Sequence, residues 1–483
     1  MMQYKNSNSF TGNLNLKLVS LAVAAALLSG CQSIWPDYLR PKMEVPAQYS
    51  EATNQAADAQ VSNTWWTLYQ DQVLNDLVAK ALVNNTDIKL AAARVEEADA
   101  VMHEVGAALF PQIDLDAGAS RSRISEAGSN PIISANPRNN YIAQLGTSFE
   151  IDFWGKLRRA KESARALALS TRYAKDTVAL SLSGLVASTY LVLRSVESQI
   201  AITQDNLKSR DDSLALTKRR LEGGVASALD VHQAEVATAN LSAQLAELKR
   251  LRAISMHQLA VLTGALDLNV AVADIKALPI PPTPPAGLPS SLLEARPDVR
   301  QAEELMIAAN ANIAVAKAAL YPTISLTASL GGESMELGDI LKSAARIWTG
   351  GLALNLPIFD SGRLNSRVDQ ASARQKQALA SYEAAVQNAF REVNDALVNL
   401  RQNTEREAAL NRGQIAAKKA LDVSENRYQS GYSAYLDVLD AQRVYNDSAL
   451  AFVQSRQARL DATVDLFKAL GGGWKPESTI QTK

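Results

Sequence analysis

Four short segments of the chain alternate apolar and polar residues with a period of two. The first pair occupies residues 113–119 and 143–153, and the second pair occupies residues 324–330 and 348–356. Successive side chains of a strand point to opposite faces, so each segment is predicted to be a strand with one apolar and one polar face. Their lengths approach the roughly 9–11 residues that a tilted transmembrane strand needs. The pattern therefore predicts membrane-spanning strands.

After each strand pair the chain changes to a seven-residue period, which is the spacing of a coiled-coil seam. The apolar positions of the first such stretch are Val186, Leu193, Ile200, Leu207, Leu214 and Leu221. In the second stretch the same period begins at Val386 and is interrupted by Glu407 and Gln414. We expect two long helices, the second with a weaker seam.

Shorter helices are predicted before and after the long ones. One runs from Val73 to about Leu109 and stops before Pro111, because the residue preceding a proline is pushed out of the helical region. A return helix is expected after each long helix, following turns at Gly224 and Gly431, because glycine accepts the positive φ values that end helices.

The two halves of the chain repeat one plan. Gly155 and Gly224 are 69 positions apart, as are Gly362 and Gly431. A repeat with a period near 207–211 residues predicts a tandem duplication rather than a short-repeat solenoid.

Residues 1–30 have the features of a secretory signal peptide. Two lysines precede an apolar run at 18–28, which is shorter than the about 20 residues that a helix needs to span a bilayer. The run ends in LSGC at 28–31, a lipobox that predicts acylation of Cys31. Cys31 is the only cysteine and cannot form an internal disulfide, so the alternative is a chance unpaired thiol. Gln32 favours sorting to the outer membrane.

A proline-rich connector, PIPPTPP at 279–285, joins the halves and favours a stiff polyproline segment. The predicted domains are a signal peptide at 1–30, an acylated extended segment at 31–72, a first repeat at 73–264, the connector at 265–290, a second repeat at 291–471 and a tail at 472–483.

The formal net charge of -1 argues against a general nucleic-acid binder, and the 47% apolar, 6% aromatic composition suits packed helices better than an enzyme core. The three histidines, His103, His232 and His257, are scattered without metal-ligand spacing. No nucleophile elbow, phosphate-binding loop or HExxH motif occurs in the sequence. We therefore predict no enzymatic activity, no metal site and no cofactor. Glu150 and Asp152, on the polar face of a strand, are expected to line a lumen.

Four membrane-type strands cannot close a barrel alone. An open edge in hydrocarbon leaves backbone groups unsatisfied, and closed barrels begin near eight strands. The strands are therefore expected to be pooled between copies, two copies giving eight strands and three giving twelve.

Seven segments carry a resemblance to a known family. They are PDYLRP at 36–41, EIDFWGKLRR at 150–159, GLPSSLLEARPDVRQAE at 287–303, LPIFDSGR at 356–363, FREVNDAL at 390–397, LDVLDAQR at 436–443 and FKALGGGW at 467–474. With them the chain resembles the TolC-type outer-membrane factors, in the lipoprotein branch that serves resistance–nodulation–division (RND) efflux pumps. The resemblance covers essentially all of residues 31–474.

The resemblance implies an α+β membrane protein with an internal two-fold repeat. It implies a homotrimer in which a twelve-strand β-barrel in the outer membrane continues into a twelve-helix periplasmic α-barrel. Its implied partners are outer-membrane lipid, a periplasmic adaptor and an inner-membrane RND pump, with no nucleic acid. The implied function is a passive exit duct for drugs and other small molecules. Alternatives are a duct for heavy-metal efflux or type I protein secretion, or a structural envelope lipoprotein without a channel.

The strongest candidate site is Leu436, Asp437, Asp440 and Arg443. The two aspartates are three positions apart and share one helical face, so a trimer would gather six carboxylates around its axis. The resemblance implies that these positions form the constriction closing the periplasmic end, with Leu436 as its apolar plug. The first half has Asp230 but His232 and Ala234 in place of further acids, so we expect an asymmetric gate. The alternative is an ordinary solvated helix face.

A second candidate site surrounds the glycines predicted to form the two tip turns. We expect adaptor docking there, and the alternative is that these residues only make turns. The residues are Arg220, Gly224, Ser227, Arg427, Gly431 and Ser433.

Overall fold

A computed structural model describes residues 38–43, 46, 48–51, 62–125, 127, 137–284 and 292–475. The predicted signal peptide and the predicted lipidation site, Cys31, lie outside the described residues. The chain divides into two compact units. One contains residues 97–169 and 304–380 and holds the strands, and the other contains residues 43–96, 170–303 and 381–483 and is helical.

The helices and strands, in chain order, are α1 (Gln72–Asn84), α2 (Thr86–Ala107), β1 (Gln112–Ser122), β2 (Arg138–Glu150), α3 (Lys156–Glu222), α4 (Ala228–Thr263), α5 (Leu292–Ala295), α6 (Pro297–Ala318), β3 (Thr323–Ser334), β4 (Arg346–Asn355), α7 (Arg363–Gln429) and α8 (Tyr435–Ala469). Short 3-10 helices occupy Trp65–Tyr69, Ile275–Ala277, Leu337–Asp339 and Ser343–Ala345.

One order of elements occurs twice among the described residues. Helices α2 and α6 each have 22 residues and precede a strand pair. Helices α3 and α7 each have 67 residues and follow it. The return helices α4 and α8 have 36 and 35 residues. Each strand overlaps a segment that the two-residue period predicts, with ends that differ by a few residues.

The helix predicted from Val73 to about Leu109 is wrong in one respect, because the structure divides it into α1 and α2 at Asn85. The backbone of Asn85 is extended, its side-chain amide donates to the carbonyl of Leu262 (3.0 Å), and its side-chain oxygen accepts from the amide of Asp87 (2.8 Å). Asn85 is thus an N-cap for α2, and capping competes locally with continued helix.

The seam of α3 is buried at one end and open at the other. Val186 and Leu193 are fully buried, Leu207 and Leu214 are half-buried, and Leu221 is exposed. Helix α3 is also the one described helix that is long and apolar enough to cross a membrane, but half of its apolar window is buried inside the chain. Its apolar stretch therefore serves the core of the helical unit.

The four strands form one antiparallel sheet in the order β1-β2-β3-β4. Leu115 pairs with Leu145, Leu145 with Leu330, and Leu330 with Trp348, so one row of the sheet carries an apolar residue in every strand. These side chains are exposed in the single chain, Trp348 by 76%. The sheet has an unpartnered apolar face, and within the described residues β1 and β4 are its unpaired edges.

The interpretation of Asp152 as a strand residue is wrong, because β2 ends at Glu150. The Asp152 carboxylate accepts from the amides of Leu157 and Arg158, both at 2.9 Å, so it caps the start of α3. Glu150 accepts from the ammonium of Lys156 at 3.0 Å. Both carboxylates are used to fix the turn from strand to helix.

The core of the helical unit is built around aromatic residues. Trp65 stacks on Phe467 with ring centroids 5.4 Å apart, and both are fully buried. The Tyr69 hydroxyl bonds the Thr463 hydroxyl, and the Tyr190 hydroxyl donates to Asp71 at 2.6 Å. Complete burial of each large apolar side chain stabilises the fold by about 1.5–3 kcal/mol. The hydroxyls keep partners because an unpaired buried polar group would offset that gain.

The connector between the repeats packs against this core and is not a free linker over residues 265–284. Ile275 is fully buried. The guanidinium of Arg194 donates to the carbonyl of Ala271, and that of Arg456 donates to the carbonyl of Leu278 (2.7 Å). One arginine from each half of the chain therefore holds the connector, which the proline content did not predict.

Candidate gate and tip turns

The first tip turn joins α3 to α4 and is fixed by backbone geometry. Gly224 has φ +78, a value that favours glycine. Ser227 then caps α4, because its hydroxyl accepts from the amide of Asp230 (3.1 Å) while the Asp230 carboxylate accepts from the amide of Ser227 (3.0 Å). This reciprocal capping box occupies both side chains.

The second tip turn has the same shape without the cap. Gly431 has φ +82, and Ala434 (φ -73, ψ 157) takes nearly the conformation of Ser227 (φ -88, ψ 155). Alanine offers no side-chain acceptor, so the first amides of α8 receive no side-chain cap. The two turns thus differ in chemistry and not in geometry.

Arg220 binds the second turn from the end of α3. Its guanidinium lies 4.3 Å from the ring centroid of Tyr428 and donates to the carbonyls of Tyr428 and Gln429, both at 3.4 Å. These are long hydrogen bonds beside a cation–π contact. Arg220 therefore has a structural role in joining the two hairpins, in addition to the docking role predicted for it.

The remaining docking candidates lie at the second turn. The side chain of Arg427 is exposed, and its carbonyl accepts from the amide of Tyr432 at 2.8 Å. The hydroxyl of Ser433 is buried without a hydrogen-bond partner in the described residues. Docking at these residues stays a prediction.

The predicted gate residues lie together on the first three turns of α8. Leu436 is 57% exposed, and Asp437 and Asp440 are exposed beside it. The Arg443 guanidinium binds Asp440 at 2.7 Å and approaches Asp447 at 3.6 Å. Within one chain, the arginine thus pairs two carboxylates of its own helix, while Asp437 lies in the first turn, where the helix dipole favours negative charge.

A small buried cluster lies behind the gate residues. Tyr435, Val438 and Ala234 form it, with Tyr428 packed against it and ring centroids of the two tyrosines 5.5 Å apart. Burial raises the pKa of Tyr435. Because positions 435 and 438 face inward, positions 436, 437 and 440 are turned to the open side of the helix.

Sequence reasoning missed one residue here. Arg210 of α3 is only 8% exposed and lines a cavity of about 750 Å³ together with Leu436, Asp440 and Arg443. The heptad spacing could have predicted its burial, because position 210 is three residues after seam position Leu207 and so belongs to the packed stripe of a heptad. A charged residue at such a position is unusual and indicates a special role.

The geometry of a metal site is not found. Among the described residues, no group of three or more His, Cys, Asp or Glu side chains could hold a metal ion. His232 instead lies 3.3 Å from Glu235 of its own helix.

The protein-family model described as outer membrane efflux protein matches residues 77–265 and again 288–472. The chain belongs to this family. Among its relatives is the toluene efflux pump outer membrane protein TtgC of Pseudomonas putida, 35% identical over 475 residues, with 95% of this chain and 96% of TtgC covered. Another is the cation efflux system protein CusC of Escherichia coli, 33% identical over 464 residues, covering 95% and 99%.

Solved structures of outer-membrane channels have the same fold as this chain. The outer-membrane channel OprN matches with a TM-score of 0.85 and 30% identity, covering 92% of this chain and all of that one. The open state of the MtrE outer membrane channel of Neisseria gonorrhoeae matches with a TM-score of 0.83 and 30% identity, covering 92% and 99%. The chain is therefore an outer-membrane exit duct of an efflux pump, with the helix-rich α+β fold of these channels, and it is not an enzyme.

Proposed function

We propose that three copies of the chain form one continuous duct, a twelve-strand barrel followed by a twelve-helix tunnel through the periplasm. The observation that carries this proposal is the sheet with two unpaired edges and an exposed apolar face within the described residues. In hydrocarbon every backbone group needs a partner, so both edges must be paired by other copies. The count of three comes from the family resemblance.

The register of the sheet limits how the copies join. On the apolar face, odd-numbered positions of β1 lie in the same rows as even-numbered positions of β4, as in the row from Leu115 to Trp348. A shift of one residue would turn every side chain of a strand to the other face. An uninterrupted apolar surface therefore requires even positions of β4 opposite odd positions of the next copy's β1. The order β1-β2-β3-β4 makes that pairing antiparallel.

Cysteine cross-linking tests this closure. Leu354→Cys combined with Ile113→Cys or Leu115→Cys should give disulfide-linked dimers and trimers, because facing Cβ atoms in neighbouring strands lie about 4.5–5.5 Å apart. The matched controls, Leu354→Cys with Asp114→Cys or Asp116→Cys, place the thiols on opposite faces. Cross-links only in the controls, or in neither set, would disprove the proposed joint.

The duct is proposed to work in a tripartite assembly with a periplasmic adaptor and an inner-membrane RND pump. Acylation at Cys31 would add a lipid anchor in the outer membrane. Two features of the tip support adaptor engagement, namely the exposed Arg427 and the exposed Tyr432 beside Gly431.

The proposed gate is a ring of Leu436, Asp437, Asp440 and Arg443 from each copy. Within one chain Arg443 holds Asp440 and Asp447 on one exposed helix face. In the closed ring, Asp440 and Arg443 would make polar contacts with neighbouring copies, and loss of those contacts would let the tip helices move apart. Asp440→Ala or Arg443→Ala should raise single-channel conductance in planar bilayers. The control is Arg250→Ala, which removes a comparable exposed pair with Glu247. Equal conductance in all three variants and the wild type would remove the gate assignment.

Two substrate classes remain in competition, since relatives are named for toluene and for cation efflux. We infer small organic molecules, the class for which TtgC, the more similar of these two relatives, is named. A deletion strain complemented with wild type should be tested against antibiotics, dyes, detergents and metal salts. We expect hypersensitivity to several unrelated organic compounds, whereas sensitivity to one metal alone would favour a heavy-metal duct.

A further inference from the structure

A cavity of about 750 Å³ lies beside the gate residues, between α4 and α8, with Arg210 of α3 in its wall. Its size is within the range of about 300–1,000 Å³ that small-molecule sites occupy. One side of the cavity is apolar and open to solvent, formed by Leu229, Val236 and Leu436. The wall therefore offers both apolar surface and a cation.

Arg210 is the unusual member of the wall. It is nine-tenths buried, yet no hydrogen bond or ion pair of its guanidinium is found within the described residues. Burial lowers the pKa of Arg210, since charge is disfavoured away from water. The electrostatic attraction of Asp447 opposes this lowering. A cation held largely out of water is costly unless its donors also find acceptors.

Among the carboxylates in the same wall, Asp447 attracts Arg210 electrostatically. Asp440 and Asp447 both lie beside Arg443, at 2.7 and 3.6 Å. The cavity thus contains two acids that lie beside Arg443, and Arg210, whose guanidinium has no hydrogen-bond acceptor within the described residues. The donors of the Arg210 guanidinium form a rigid fork that suits a carboxylate or sulfonate.

We propose that this cavity binds an amphipathic organic anion, with its acid group on Arg210 and its apolar body against Leu229, Val236 and Leu436. The charge fixes the orientation of the ligand, and the apolar wall supplies area for its body. This binding goes beyond the exit-duct function and needs neither pump nor adaptor. Failure of the gate variants to change conductance would leave it untouched.

The experiment uses the full-length protein in lipid nanodiscs and two fluorescent probes, 1-pyrenebutyrate and its uncharged analogue 1-pyrenebutanol. Empty nanodiscs give the lipid background. We expect saturable binding of the anion, weakened about tenfold or more by Arg210→Gln, because a hydrogen bond to a charged group is lost. The affinity for the alcohol should stay the same in both proteins.

Arg219→Gln is the matched control, since Arg219 is an exposed arginine of α3 that does not line the cavity. It should bind the anion like wild type. Val236→Glu is a second variant for the case that Arg210→Gln fails to fold, because Val236 is exposed and a carboxylate there should repel the anion.

Equal anion binding by wild type, Arg210→Gln and Val236→Glu would overturn the proposal. It would also be overturned if wild type binds no anion while Arg210→Gln loses its oligomeric state by native mass spectrometry. In that case the partner of Arg210 would be a carboxylate of a neighbouring copy.

Discussion

The middle and the tip of the helical unit each contain an ion pair between an arginine and a carboxylate, but the first pair is buried and the second is exposed. In the middle, Arg194 binds Glu197 at 2.7 Å, and their side chains are 2% and 1% exposed. At the tip, Arg443 binds Asp440 at the same distance and helical spacing, and both side chains are 62% exposed. A surface pair is worth about 0–1 kcal/mol, whereas breaking a buried pair costs about 3–5 kcal/mol.

The apolar packing follows the same division. Around the middle of α3, Val186, Tyr190 and Leu193 are completely buried, while the tip has a small cluster centred on Tyr435. Stability is not uniform within a protein, and segments that must move are drawn from its weakly packed parts. The long helices are therefore held firmly at their middle and free to rearrange at the tip.

The largest loss of stability is expected when the buried acid Glu197 is removed. Glu197 accepts from Arg194, from the Nε of Arg252 (3.0 Å) and from the amide of Ala273 (3.2 Å). Glu197→Ala leaves two arginines without that acceptor and should destabilise the fold by about 3–5 kcal/mol. Thermal unfolding of the purified protein would show it.

The control for that change is Asp440→Ala, which removes the exposed acid of the matched pair and should change the melting temperature very little, because solvent screens an exposed pair. Equal shifts in melting temperature for the two variants would contradict the contrast between middle and tip.

The sequence predicts the repeated elements well, because a two-residue period and a seven-residue period are local properties. It also predicts that Asp437 and Asp440 share one helical face. It could not predict the cluster around Glu197, whose partners Arg252 and Ala273 are 55 and 76 positions away. The division at Asn85 depends on the carbonyl of Leu262, 177 positions away, and is equally invisible in a local pattern.

One buried carboxylate in the middle of the helical unit lowers the stability of the fold instead of raising it. Asp461 of α8 is largely buried, and one of its carboxylate oxygens has no hydrogen-bond partner in the described residues. Burial raises the pKa of Asp461 to about 6, with the nearby Asp465 adding to the effect and bonds from Gln457 and Ser188 opposing it. The unfolded carboxyl has a pKa of about 3.9.

The sign follows from this shift. Because the folded pKa is the higher one, Asp461 reduces stability as pH rises from about 4 through 6, by up to about 3 kcal/mol above pH 6. Asp461→Asn should therefore raise the melting temperature at pH 7.5 and have little effect near pH 4. The difference between variant and wild type, measured from pH 4 to 8, tests this. A difference that does not change with pH would refute it.

The smallest effect is expected at the two tip turns, which differ by a single cap. Ser227→Ala removes the hydroxyl that accepts from the amide of Asp230 and should cost about 0.5–2 kcal/mol at the start of α4. Ala434→Ser should do the reverse at the start of α8, because Ala434 has the extended backbone of a cap and Asp437 stands three positions later.

Hydrogen exchange of the first backbone amides of α4 and α8 measures how each substitution changes the local stability of the helix start. Faster exchange in α4 of Ser227→Ala and slower exchange in α8 of Ala434→Ser would show that the side-chain cap accounts for the difference between the two turns. If Ala434→Ser leaves exchange in α8 unaltered, the missing cap is not what distinguishes the second turn, and the difference must lie in the contacts of Arg220 with Tyr428 and Gln429.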